Sequence, residues 1–313
     1  MIIYLIVGIN FLVLILAVIR RRKNRKKYPN YLLEFPKDYS FGMERINQIN
    51  DNEKLVIYMK RFCEENNIFE KGAIVSLSGG VDSMVVLAIL LHLQIDNNFP
   101  IYTASINYKL RKESDDEMKF LNQYCNNYNI NSFFSIIDSF GTRNSSGKRS
   151  EFEDKSRHIR FKLYKGIIDQ SGSSGIFVGH HQDDVIENII TNLIRGRNIY
   201  DLEVMRHCSN IRGVKMFRPF LRFHKSDIYE FSHKYYIPYF LDTTPSWSKR
   251  GQMRNEIFPL FNRVFGRSWK SKIKDIGLQS TELGNLMTEQ INNYLEYVEI
   301  CQYGFILNNF SKK

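Results

Sequence analysis

The run "AIVSLSGGVDSMVVLAILLHL", residues 73–93, constrains the fold more than any other stretch of this chain. A short β-rich segment, "AIVSLS", stops at two glycines. An aspartate and a serine follow, and "SMVVLAILLHL" then reads as a buried helix. The alternation continues downstream. "IYTASINY" reads as a second strand, and "ESDDEMKFLNQYCNNYN" as a helix with acids in its first turn. "INSFFSIIDSF" is a third strand, "GTRNSSGKRS" a mobile loop and "EFEDKSRHIRFKLYKGIIDQ" a helix. "GIFVGHH" is a further strand and "QDDVIENIITNLIRG" its helix. Alternation at this spacing predicts an α/β fold: an open parallel sheet with helices on both faces. Ligands of such sheets bind beyond the carboxyl ends of the strands, where both "SGGVDS" and "GHHQDD" fall. After residue 200 the pattern changes to one strand, "GVKMFRPF", the helix "KSDIYEFSHKYY", a loop and further helices.

The glycine turn has the makings of an anion site. Glycines admit positive φ and let a ligand approach the backbone. Successive N–H groups then form a concave nest backed by a helix N-terminus, and the hydroxyls of Ser78 and Ser83 add donors. Asp82 would repel a bare phosphate, a conflict that a divalent cation bridging the two resolves. A simple helix-capping turn would use Asp82 or Ser83 as its cap, but six fitting positions at a strand-to-helix junction favour the anion site. The lysine-bearing loop G-x-x-x-x-G-K-[ST] is absent.

Charge needs dissecting before it suggests a partner. The formal net charge is +11, but "RRRKNRKK", residues 20–27, carries seven of the basic residues. Without it the chain has 37 basic against 33 acidic residues, so a polyanion site has to show as a local cluster. Residues 245–274 are such a cluster. They hold Lys249, Arg250, Arg254, Arg263, Arg267, Lys270, Lys272 and Lys274 against the single acid Glu256, interleaved with aromatics. The first 19 residues are uncharged and would span roughly 29 Å as a helix, about one hydrocarbon thickness. With the basic run after them, they predict a single-pass membrane helix with the body of the protein on the cytoplasmic side. Cys63, Cys125, Cys208 and Cys301 lie far apart with no C-x-x-C, which argues against a disulfide framework, a zinc ribbon or a cysteine-held cluster.

"SGGVDS" resembles the pyrophosphate loop of the N-type ATP pyrophosphatases, the PP-loop superfamily. That resemblance implies an adenine nucleotide alpha hydrolase-like fold, binding of ATP and Mg²⁺, and cleavage between the α- and β-phosphates. Further blocks resemble the tRNA(Ile)-lysidine synthetases. In "INYKLRKESDDE" the matching residues are Asn107, Leu110, Arg111, Ser114 and Asp115, with Tyr108 and Ser105 standing where the family usually has histidines. "EDKSRHIRFKLY" matches through Glu153, Arg157, Arg160 and Phe161. "GHHQDDVIENIITNLIRGR" matches through His180, His181, Asp183, Asp184, Glu187, Arg195 and Gly196. Arg218, Pro219, Asp242, Arg254, Asn255 and Pro259 follow in order.

The resemblance implies adenylation of a cytidine at C2 and its replacement by lysine, with tRNA and free lysine as partners. Ser78, Gly79, Gly80, Val81, Asp82, Ser83 and Asn107 would bind ATP, Asp82 reaching Mg²⁺ through the phosphates. Asp82, His181, Asp183, Asp184 and Arg111 are the catalytic candidates. Asp183, Asp184 and Glu187 would hold the lysine ammonium groups, and Arg195, Lys249, Arg250, Arg254, Arg263 and Arg267 the tRNA. The expected organisation is a transmembrane helix at 1–19 and a basic juxtamembrane segment and linker at 20–50. An ATP-binding α/β domain at 51–200 and a mostly helical substrate region at 201–313 complete it. Two alternatives stay open at this point: a PP-loop tRNA thiolase, and a degenerate membrane-anchored nucleotide- or RNA-binding protein.

Overall fold

Ala73, Ile74 and Val75 are fully buried, and a strand buried on both faces has to be covered on both. The computed structural model describes residues 43–109, 113–137, 146–240, 248–295, 298–301 and 304–307, all within one compact unit, Leu33–Lys313. Its main sheet has six strands: β1 (Ala73–Ser76), β2 (Ile101–Asn107), β3 (Asn131–Ile136), β4 (Ile176–Phe177), β5 (Cys208–Ile211) and β6 (Val214–Phe217). Their spatial order is β3-β2-β1-β4-β6-β5. All neighbours are parallel except β5, which runs antiparallel to β6 at the edge.

Side chains alternate between the two faces of β1. Val75 and Leu77 join the larger apolar cluster with α1 (Lys54–Glu65), α2 (Val81–Asn97) and α3 (Ser114–Asn127). Ile74 faces the other cluster, with Tyr164 and Ile167 of α4 (Ser146–Ser171). Helix α2 is apolar on every side, and 11 of its 17 residues are buried, so it lies inside the larger cluster rather than over it. Helix α5 (Gln182–Ile194) follows β4, and α6 (Lys225–Lys234) follows β6. Ile186 and Ile190 of α5 pack on Met253, Phe258 and Trp269, which ties it to α7 (Phe258–Phe265) and α8 (Trp269–Leu295).

The connectivity places the site. From β1 the chain moves outward to β2 and β3, then returns through α4 to β4 on the other side of β1. Neighbouring strands whose connections diverge leave a crevice at their carboxyl ends. Here that crevice lies between the loop after β1, which is "SGGVDS", and the loop after β4, which is "GHHQDD".

Several expectations are corrected. The sheet is not wholly parallel, because β5, not expected as a strand, pairs antiparallel with β6 at its edge. Arg212 and Gly213, both at positive φ, form the two-residue turn that folds β5 back onto β6. The segment expected as linker up to residue 50 contains a helix, Met43–Asn47, and Ile46 and Ile49 enter the core. Helix α4 begins at Ser146, inside the stretch expected as a loop. The C-terminal region adds an antiparallel pair, β7 (Val298–Cys301) and β8 (Gly304–Leu307), to its helices. The expected membrane span at 1–19 and the basic run after it lie outside the described residues. Among the described residues no helix is long and apolar enough to cross a membrane. The single-pass membrane localisation is corrected accordingly.

Candidate active site

The loop after β1 is built to keep a concave backbone. Gly79 has φ +80°, and a Cβ there would lie 2.4 Å from the Phe240 ring, so neither the conformation nor the space admits a side chain. The Phe240 amide donates to the Gly79 carbonyl at 2.9 Å, pinning the loop from the far side of the chain. Inside the turn, the Ser83 hydroxyl accepts from the Ser78 amide at 3.2 Å and donates to the Gly80 carbonyl at 3.0 Å. The Ser78 hydroxyl accepts from the Gly80 amide at 3.4 Å. Gly80 caps α2 with no side chain of its own to accept the first helical amides, which leaves the helix N-terminus open towards the crevice.

The loop after β4 comes close to this helix. A Cβ on Gly179 would lie 2.6 Å from Asp82 Cβ and 2.7 Å from its backbone carbon. Gly179 is thus what allows "GHHQDD" to meet the glycine loop. His181 then sits among three carboxylates, buried, with its Nε2 3.4 Å from Asp184 and 3.8 Å from Asp82. Its Nδ1 is 3.8 Å from Asp183.

Cations of the chain itself answer this acidic group. Lys225 Nζ lies 2.6 Å from Asp82 Oδ2, and the Lys225 amide donates to Asp183 Oδ2 at 3.1 Å. Lys270 reaches Asp183 Oδ1 at 2.5 Å. The Arg254 guanidinium donates to Asp184 at 2.9 Å and to both oxygens of Glu187. Arg250 stands 3.5 Å from Glu187 and 3.9 Å from Asp184. Arg254 lies in a π-helical turn, Met253–Ile257, between a short α-helical turn and α7. Such insertions often accompany functional sites.

These contacts set the protonation pattern. Burial raises the Asp184 pKa, but His181, His180 and Arg250 outweigh it and hold the carboxyl at about 2. Burial also raises Asp183, and Lys270 and the Lys225 amide bring it below its usual value. For Glu187 burial wins over Arg254 and the pKa is raised. Burial lowers His180 to about 4, and Arg218 donates to its Nδ1 at 3.2 Å. Because this folded-state pKa lies below the ordinary 6.5, the unfolded chain takes up a proton that the folded one excludes. The associated stability is full above pH ~6.5 and is lost as pH falls towards about 4. Urea melts between pH 7 and 4.5 are expected to show that loss, up to about 1.4 kcal/mol per pH unit from this one group. A His180→Asn variant is expected to show a flatter profile.

A family model described as a PP-loop domain matches residues 52–261, two thirds of the chain. The chain belongs to the PP-loop family. Among curated PP-loop relatives, the tRNA(Ile)-lysidine synthase of Enterococcus faecalis is 28% identical over 192 residues, 61% of this chain and 40% of the relative. That of Thermotoga maritima is 30% identical over 193 residues, covering 61% and 45%. That of Chlamydia muridarum is 27% identical over 239 residues, covering 75% and 72%. The chain therefore spans less than half the length of the first two. A solved structure, the U34-tRNA thiolase NcsA from Methanococcus maripaludis with its [4Fe-4S] cluster, overlays with a TM-score of 0.54 at 16% identity. It covers 74% of this chain and 81% of its own, a likeness of fold alone.

The PP-loop crevice brings together Ser78, Gly79, Gly80, Val81, Asp82, Ser83, His181, Asp183, Asp184 and Glu187. Arg254, expected on a tRNA surface, turns inward and pairs with the acids, while Arg250 reaches them with its side chain still half-exposed. Lys249, Arg195, Arg263 and Arg267 are exposed. Asn107 lies at the end of β2, its amide donating to Asp115 at 2.7 Å and its oxygen accepting the Lys109 amide at 2.8 Å, so it shapes the turn there. Arg111 lies outside the described residues. Ser105, in place of a family histidine, donates to the Leu77 carbonyl at 2.8 Å and steadies the entry to the PP-loop. Tyr108 accepts from Arg160. Sequence reading missed Gly179, Phe240 and Lys225, and put Lys270 in the basic surface cluster rather than beside Asp183. For Lys225 a signal existed: a cation in the first position of a helix opposes the helix dipole.

Proposed function

We propose that this PP-loop protein is an ATP-dependent tRNA-modifying ligase of lysidine-synthetase type. The observation that carries the reading is the meeting of two sites at His181. On one side is an open helix N-terminus with Asp82, suited to a nucleotide triphosphate. On the other are Asp183, Asp184 and Glu187, which already hold ammonium and guanidinium groups of this chain and so suit a basic cosubstrate. The named relatives favour a tRNA base as the acceptor and lysine as the amine.

In this reading the cytidine O2 attacks the α-phosphorus and pyrophosphate leaves. An amine of lysine then attacks C2, the C2–O bond breaks, AMP departs and the amine loses a proton. The PP-loop amides hold the phosphates, and the carboxylate group holds lysine. His181, within 3.4–3.8 Å of three carboxylates, takes up the released proton, and the carboxylates stabilise the imidazolium that forms. Mg²⁺ would neutralise the phosphate charge. Asp82 Oδ1 fits such an ion, being buried without a hydrogen-bond partner. No group of three or more metal-ligating side chains exists among the described residues, so the phosphates would supply the remaining ligands. Cys63 and Cys125 are buried, and burial raises the thiol pKa of both and of Cys208, which disfavours sulfur transfer through them.

The test is AMP formation from α-labelled ATP with Mg²⁺. AMP and pyrophosphate are expected only when tRNA is present, with repeated turnover requiring lysine. AMP release that ignores both tRNA and lysine would overturn the proposal.

A further inference from the structure

Arg218 is 5% exposed and directly follows β6. A guanidinium taken out of water is normally paired with a carboxylate. Among the described residues this one has only neutral acceptors. Its Nη1 donates to the Arg206 carbonyl at 2.9 Å and to the Ser209 hydroxyl at 2.7 Å, and its Nε donates to His180 Nδ1 at 3.2 Å. Burial lowers its pKa, yet an arginine in a protein stays charged. The first two acceptors hold the side chain in place. The third is an imidazole on the crevice loop, two residues before α5 begins. That bond decides where the imidazole carries its proton. A guanidinium has five donors and no acceptor. The nitrogen facing it must offer a lone pair, so the His180 proton sits on Nε2. The ring is also kept neutral: burial holds its pKa at about 4, and Arg250, Arg218 and His181 act in the same direction against the pull of Asp184. Among the described residues Nε2 has no hydrogen-bond partner, so its N–H is left for a ligand. His181 is placed the opposite way, among the carboxylates of Asp82, Asp183 and Asp184.

We propose that Arg218 is a positioning residue that locks His180 as a neutral Nε2–H donor to an anionic oxygen of the substrate, leaving proton uptake to His181. An anionic oxygen suits this donor, because the two guanidiniums near the ring, Arg218 and Arg250, outnumber the one carboxylate, Asp184. The ATP α-phosphate and the carboxylate of lysine both carry such an oxygen. A donor whose proton is fixed in advance needs no reorganisation as charge builds on that oxygen. The assignment rests on the ligase reading above and gives two adjacent histidines opposite tasks.

The experiment joins a spectrum to kinetics. Histidine labelled with ¹⁵N in the ring is incorporated into the full chain, and the His180 signals are identified by their loss in His180→Gln. At pH 7 they are expected to show a protonated Nε2 and a bare Nδ1 in the native chain, and a mixture of tautomers in Arg218→Met. His180→Leu is expected to lower kcat/KM for AMP formation about 100-fold. His180→Gln keeps an amide donor near the Nε2 position but takes up no proton, and is expected to recover at least about tenfold of that loss. Arg218→Met is expected to lower kcat with little change in KM for ATP, and Arg218→Lys, which can still donate to Nδ1, to restore most of it. Two further measurements on His180→Leu identify the oxygen. Slowed pyrophosphate release from ATP and tRNA without lysine places it on the α-phosphate, and lost preference for lysine over 1,5-diaminopentane places it on the lysine carboxylate. If Arg218→Met does not fold, the native tautomer and the comparison of Gln with Leu at His180 decide. An Nδ1–H tautomer, a His180→Gln rate no better than that of His180→Leu, or both further measurements unchanged overturns the assignment while native AMP formation leaves the ligase reading intact. A native chain that forms no AMP removes the ligase reading itself, and the assignment with it.

Discussion

An Asp82→Asn protein is expected to fold, to retain nucleotide binding within about tenfold, and to form AMP about a thousandfold more slowly than the native chain. The fold survives because the substitution keeps the shape of the side chain and an oxygen that Lys225 can still approach. The rate falls because Asn removes the negative charge of the one carboxylate that lies in the pyrophosphate loop with an unbonded, buried oxygen. Removing a single preorganised electrostatic contact to a transition state costs on the order of 10²–10³ in rate. Asp82 is placed at the high end because it also orders Lys225. The check is single-turnover AMP formation with a thermal melt on the same sample. A variant within tenfold of the native rate would show that Asp82 is a structural counterion of Lys225 and no more.

Arg254→Leu carries the second large effect, on stability. Asp184 and Glu187 are 4% and 3% exposed, and Arg254 bonds to both. Without it Glu187 is left with Arg250 at 3.5 Å, and Asp184 with His181 at 3.4 Å and Arg250 at 3.9 Å. Breaking a buried pair from one side typically costs about 3–5 kcal/mol, since the remaining charge keeps its desolvation penalty. That corresponds to a fall in Tm of roughly 10 °C for a chain of this size. The double variant Arg254→Leu/Glu187→Gln is expected to recover part of the loss, because it removes the stranded charge. An unchanged Tm would return Arg254 to the exposed basic surface where its sequence neighbours first placed it.

What was legible followed from local physics. The β1–glycine–α2 unit announces itself because a buried strand and a buried helix are both apolar runs, and the glycines between them have few other uses. The crevice followed too, since both "SGGVDS" and "GHHQDD" end strands. The ion pairs did not follow. Arg254 meets Glu187 across 67 residues, Lys270 meets Asp183 across 87 and Lys225 meets Asp82 across 143. Nothing in a run of basic residues says which will turn inward; that depends on how α5, α7 and α8 pack. Ser105 shows the same limit, because its hydroxyl bonds to a carbonyl 28 residues earlier in the chain. Strand β5 was missed for another reason. "CSNI" is too short and too polar to signal a strand, and only the Arg212–Gly213 turn after it hinted at a hairpin.

Whether this crevice joins lysine to a cytidine activated by ATP is decided by nucleoside mass spectrometry. The tRNA is incubated with the purified chain, Mg·ATP and isotopically labelled lysine, then digested. The expected product is a cytidine-derived nucleoside carrying the lysine label, formed with equal amounts of AMP and pyrophosphate and absent from an Asp82→Asn sample. A product carrying sulfur instead, or tRNA left unmodified while AMP accumulates, would contradict it.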